Sequence, residues 1–156
     1  MEDTPTIAAA RRFVRLVSEG APPADADLAR ALDALALAYH DAPDGEPAED
    51  EGRDQPETET YVQRYERLGA RFPDYGYYPT ADPLGPLDQE NTLGDAIDDL
   101  ADIVRDLGET IWRFENFGAD DAHWDFRFNY QIHWGQHLRA LSQYLYAKIR
   151  RDLSDA

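Results

Sequence analysis

Residues 92–114 read TLGDAIDDLADIVRDLGETIWRF. Leu93, Ile97, Leu100, Val104, Leu107, Ile111 and Phe114 alternate at spacings of four and three. Apolar residues at that period form one stripe along a helix, the heptad seam of a bundle or coiled coil. Thr92 with Asp95 three residues on resembles a capping box with Asp in place of Glu, which starts the helix at residue 92. The same register places the acids. With Leu93 at position d, Asp95, Asp102 and Glu109 fall at f, Asp99 and Asp106 at c, and Asp98 at b. At about 100° per residue these positions turn away from the seam, which predicts a solvated acidic face. Gly94, Ala101 and Gly108 share position e, where small side chains let a neighbour approach the backbone.

The flanking chain supplies further helices. Thr4 caps a first helix with Pro5 at its first position, and its stripe is Ile7, Ala10, Val14 and Val17. Gly20, Pro22 and Pro23 stop it. Leu28, Leu32, Leu35 and Tyr39 mark a second helix over 24–39, and Tyr61, Tyr65, Leu68 and Phe72 a third over 57–72. Gly118 closes the fourth, and Asp120 or Asp121 caps a last helix over 121–153. Trp124, Phe128, Ile132, Leu138, Leu145 and Ile149 are its expected core stripe. Phe126, Tyr130, His133, His137 and Tyr144 form a second stripe beside it. Residues 41–57 carry turn residues and acids, which predicts a flexible acidic loop. Residues 73–90 hold four Pro and three Tyr, which predicts an irregular loop anchored by Tyr75, Tyr77 and Tyr78 or forming a binding lip. The predicted fold is one all-α domain over 1–156, about five helices in a bundle, with 92–117 and 121–153 as its central antiparallel pair.

Composition bounds the function. The chain of 156 residues is 42% hydrophobic and 12% aromatic, enough for a packed core. Thirty-two acidic residues against 15 basic ones give a net charge of −17. That balance argues against a nucleic-acid binder and against an anionic membrane surface. No apolar run reaches the length of about 20 residues needed to span a bilayer. The N-terminus lacks the pattern of a signal peptide, so the cytoplasm is the expected compartment. Cys is absent, which excludes disulfides and thiolate sites. The charge reads first as solubility and coding bias, since Lys148 is the single Lys, and second as a face for a basic partner.

Chemistry-bearing residues are few. His133 and His137 stand four apart in His-Trp-Gly-Gln-His, a spacing at which two imidazoles can bind one divalent ion. The zincin Glu is missing and no Glu-x-x-His pair occurs. The pair therefore reads first as structural histidines and second as a metal site with Asp98, or an acid from the third helix, as third ligand. Trp112 at position b reads as covered by the Tyr-rich loop or as an exposed hot spot. Arg127 and Arg139 are placed to stack on the aromatic flank or pair with acids. No nucleophile elbow or phosphate loop is present, and no catalytic residue or cofactor is expected.

From Tyr61 to Tyr146 the chain carries Arg71-Phe72-Pro73, Gly76-Tyr77-Tyr78, Asp82-Pro83, Asp98-Asp99-Leu100-Ala101-Asp102-Ile103, Trp124-x-x-Arg127-Phe128 and His133-Trp134-Gly135-Gln136-His137. In this order they resemble the bacterial domain-of-unknown-function family numbered 5063. The resemblance implies an all-helical bundle and brings no activity, cofactor or partner. It also suggests that the Gly-Tyr-Tyr loop, the acids of the fourth helix and the Trp-Gly region meet in space. The expected function is a non-enzymatic protein-interaction or adaptor module, monomeric or homodimeric, with an unidentified protein partner. Its expected surface is Tyr77, Tyr78, Trp112, Trp134, His133 and His137. The alternatives are an acidic inhibitor or immunity-type protein for a basic target, and a metal-binding bundle using His133 and His137.

Overall fold

The computed structural model describes residues 1–49 and 55–155. Helix α1 (Pro5–Ser18) starts where expected, with the Thr4 hydroxyl accepting from the Ile7 N–H. Helix α2 spans Asp25–Asp41. Helix α3 (Tyr61–Arg71) begins later than expected, because Thr60 and Gln63 form a capping box there. The chain then makes two short antiparallel strands, β1 (Tyr77–Thr80) and β2 (Thr92–Asp95), paired from Tyr77 opposite Asp95 to Thr80 opposite Thr92. These strands correct two expectations. Residues 73–90 are not wholly irregular, and Thr92 does not cap the next helix. Asp95 does, its carboxylate accepting from the Ile97 and Asp98 N–H groups at 2.9 and 3.3 Å. Leu93 thereby leaves the seam and is 71% exposed on the hairpin.

Helix α4 (Ala96–Phe117) ends at Gly118, whose φ of +99° suits a residue without a Cβ. The chain reverses there into α5 (Ala119–Asn129). A single π-helical segment (Tyr130–Trp134) follows and leads without a break into α6 (Gly135–Ser154). Counting this last path as one rod, the described residues form five helical rods, as expected. Helix α4 lies at the centre, packed against α1, α3, α5 and α6, while α2 packs against α1 and α6. Phe13, Leu28, Leu32, Leu100, Ile103, Leu107, Phe126, Leu138 and Leu145 are buried in one core that joins these helices. Each such side chain stabilises the fold by about 1.5–3 kcal/mol.

The acidic face of α4 is not wholly solvated. Asp99 and Asp106 are both 4% exposed. The register angles were sound, but they assumed one packing partner. Neighbours on several sides of α4 bury positions c, e and g as well as the seam. The last helix departs from its expected stripe for a local reason. A π-turn holds about one residue more than an α-turn, so the phase slips at 130–134. Phe126, Trp134, Leu138, Leu141 and Leu145 face the core, while Phe128 is exposed and Ile132 is 61% exposed. Gly135 makes the slip possible: a Cβ there would stand 2.3 Å from the Tyr130 carbonyl oxygen.

Parts of the segment 41–57 are tied down. The Ala48 N–H donates to Asp121 at 2.8 Å and the Gln55 N–H to Glu109 at 2.9 Å. Arg113 pairs with both of those acids. Residues 50–54 of that expected flexible loop lie outside the described residues. No helix among the described residues is long and apolar enough to cross a membrane.

Candidate metal centre

Antiparallel packing sets α4 beside the π segment and the start of α6. Asp99, Asp102 and Asp106 occupy successive turns of α4, and His133 and His137 occupy successive turns opposite. Nδ1 of His133 lies 2.5 Å from Asp106 Oδ2, and Nδ1 of His137 lies 2.7 Å from Asp99 Oδ1. Both rings are thereby turned so that Nε2 points at one carboxylate. Asp102 Oδ2 is 3.0 Å from His137 Nε2 and 3.6 Å from His133 Nε2. The rings meet edge to face with centroids 4.9 Å apart. Two imidazole Nε2 atoms and one carboxylate oxygen thus converge, close enough together to share one cation.

A further layer holds the supporting acids. The Tyr78 hydroxyl donates to Asp99 Oδ2 and the Tyr61 hydroxyl to Asp98. The Tyr65 hydroxyl donates to Asp95 at 2.6 Å. Gly94 makes the Tyr78 contact possible, since a Cβ there would lie 2.3 Å from the Tyr78 ring that crosses it. Burial works to lower the His137 pKa, but hydrogen bonds to Asp102 and Asp99 outweigh it and raise it to about 10. Burial raises the Asp99 carboxyl above its ordinary range, against its bonds to His137 and Tyr78. Burial also works upward on Asp102, yet the His137 hydrogen bond leaves it lowered. Burial and the bond to Asp99 raise the Tyr78 hydroxyl, which stays protonated as a donor. The site opens to solvent on one side, where the His133 side chain is 41% exposed and that of Asp102 18%.

The residues singled out from sequence are distributed unevenly. His133, His137 and Tyr78 meet around the acids of α4, so the Gly-Tyr-Tyr segment and the His-Trp-Gly-Gln-His segment do join. Asp98 bonds Tyr61 and lies within ligand reach of Asp99 and His137, while Asp102 is the acid that both Nε2 atoms address. Tyr77 faces outward and is 65% exposed. Trp134 is completely buried, its indole N–H donating to the Phe126 carbonyl at 3.2 Å, so it belongs to the core rather than to a surface. Trp112 packs edge-on against Phe117. It is 17 residues along from Asp95, about 25 Å at 1.5 Å per residue, so it stands far from Tyr77 and Tyr78, which pair with Asp95 and Gly94. Arg127 lies over the Tyr39 ring at 4.9 Å and pairs with Asp44, while Arg139 donates to the Tyr130 hydroxyl. The sequence register places Asp99, Asp102 and Asp106 on a solvated face, away from the histidines they meet in the fold. Their spacing of three and four, matched by the four-residue spacing of the histidines, was the available signal.

A family model described as "Domain of unknown function (DUF5063)" matches residues 4–149. Among solved structures, the crystal structure of protein BF1032 from Bacteroides fragilis is similar. It is 20% identical with a TM-score of 0.70, and the match covers 91% of this chain and 88% of that one. That likeness establishes a shared fold. No curated protein matches the chain in a sequence search.

Proposed function

The chain belongs to the DUF5063 family, and we propose that it is a metal-binding helical protein. Its ion is held by His133 Nε2, His137 Nε2 and Asp102. One observation carries this reading: each imidazole has its Nδ1 fixed by a buried acid, and both Nε2 atoms turn to the same carboxylate. Carboxylate–histidine–metal relays have this form, because the outer acid fixes the tautomer and makes the ligating nitrogen more basic. The π-turn under His133 supports it too, since such turns collect at functional sites. Two histidines and one acid leave coordination positions for water or another ligand, as catalytic rather than closed structural sites do. Zinc, cobalt and ferrous iron suit this donor set. Titration calorimetry on chelator-stripped protein tests the reading. One equivalent of zinc or cobalt is expected to bind. His133→Ala, His137→Ala and Asp102→Ala are each expected to weaken binding by at least about tenfold. Equal binding by wild type and the His133→Ala/His137→Ala double variant would remove the site.

A second reading, the protein-interaction module, moves to the hairpin. Tyr77 and Leu93 are diagonal neighbours on its outer face, and both are largely exposed. Such a face suits a protein partner, with the chain as monomer or homodimer, and the charge of −17 favours a basic one. Capture of one partner that is lost on Tyr77→Ala and Leu93→Ala supports this reading. Retention by both variants removes it.

A further inference from the structure

Resting on the metal reading above, we propose that the open positions of the ion take neutral ligands that carry N–H groups, amines and imidazoles through a nitrogen lone pair and amides through the carbonyl oxygen, and reject anions. Asp95, Asp98, Asp99, Asp102 and Asp106 all project from little more than three turns of one face of α4. Arg105, which pairs with Asp106 at 3.3 Å, adds one positive charge. Five carboxylates thus face three positive charges, two on the ion and one on Arg105, and the site stays net negative after metal binding. The chain as a whole, at −17, adds to the same field.

Hydrogen bonding points the same way as charge. An ionised carboxylate has acceptors and no donor. Tyr78, Tyr61 and Tyr65 already spend their hydroxyl donors on Asp99, Asp98 and Asp95. Apart from the Arg105 guanidinium that pairs with Asp106, a ligand arriving at the exposed His133 side meets carboxylate acceptors, which an N–H group satisfies and an anion does not. A lone metal with the same donors in neutral surroundings would bind azide and halides readily. Here the carboxylates oppose them.

Cobalt-loaded protein tests this by visible absorption, with imidazole as the neutral probe and azide as the anionic one at pH 8. Imidazole is expected to shift the cobalt bands at concentrations at least about tenfold below those azide needs. The Asp95→Asn/Asp98→Asn double variant keeps the helix cap and removes two charges. It is expected to improve azide binding by roughly two- to tenfold per charge. Azide binding as tight as imidazole in the wild type overturns the proposal, as does failure of both probes, which would mean a closed coordination sphere. Absence of cobalt bands before any probe is added is a different failure. It removes the metal reading itself, and this inference with it.

Discussion

Asp106 makes the shortest contact to His133, 2.5 Å to Nδ1, and is 4% exposed. Its role is to aim the ring, since it sits on the nitrogen facing away from the proposed ion. Asp99 does the same for His137. Asp106→Asn and Asp99→Asn are therefore expected to lower metal affinity by about 10- to 100-fold. Competition with a chromophoric chelator measures this, with far-UV circular dichroism as the control for folding. Affinity unchanged in both variants would mean that the outer acids only fill space. At this scale the histidines were legible, because a four-residue spacing on a helix already puts two rings together. Their acids were not. Heptad arithmetic turned Asp99 and Asp106 away from the one seam it could see, and the neighbour on their side of α4 comes from residues more than 25 positions along the chain.

The π segment decides how α5 and α6 present their side chains. Gly135→Ala puts a methyl group 2.3 Å from the Tyr130 carbonyl. It is expected to destabilise the fold by about 1–3 kcal/mol in urea unfolding and to weaken metal binding by displacing His133 from His137. Loss of stability with metal affinity intact would separate the π-turn from the site. Helix existence was legible throughout, from apolar stripes and from caps such as Thr4-Pro5 and Gly118. The exact phase of the last helix was not, because a period of 3.6 carried across 130–134 runs ahead of the real chain and puts Ile132 inside. Nor was the hairpin, whose strands are four residues each. Leu93 fits the heptad by spacing alone, and only its pairing with Pro79 takes it off the helix.

Across the whole molecule the balance of charge sets the response to pH. Asp125 is 2% exposed, takes a hydrogen bond from the Thr110 hydroxyl at 2.7 Å and lies 3.3 Å from Arg113. Burial raises its carboxyl to about 6, with Thr110 and Arg113 pulling the other way. In the unfolded chain its pKa is about 3.9. Stability linked to its proton is thus fully present below about pH 3.9 and is lost as pH rises through its folded value, at most about 3 kcal/mol. Asp125→Asn is expected to flatten the fall in stability between pH 4 and 7 in urea titrations. An unaltered slope would show that Asp125 ionises freely in the fold. The all-helical architecture was legible at this scale from composition and period together, while the joining of three separate segments into one site required the packing of α3, β1 and α6 around α4. A native mass spectrum of untagged protein loaded with zinc reads that joined site most directly. The site is expected to hold one ion in the wild-type chain and none in His133→Ala/His137→Ala under the same conditions. A bare wild-type chain, or an ion retained by the double variant, would contradict it.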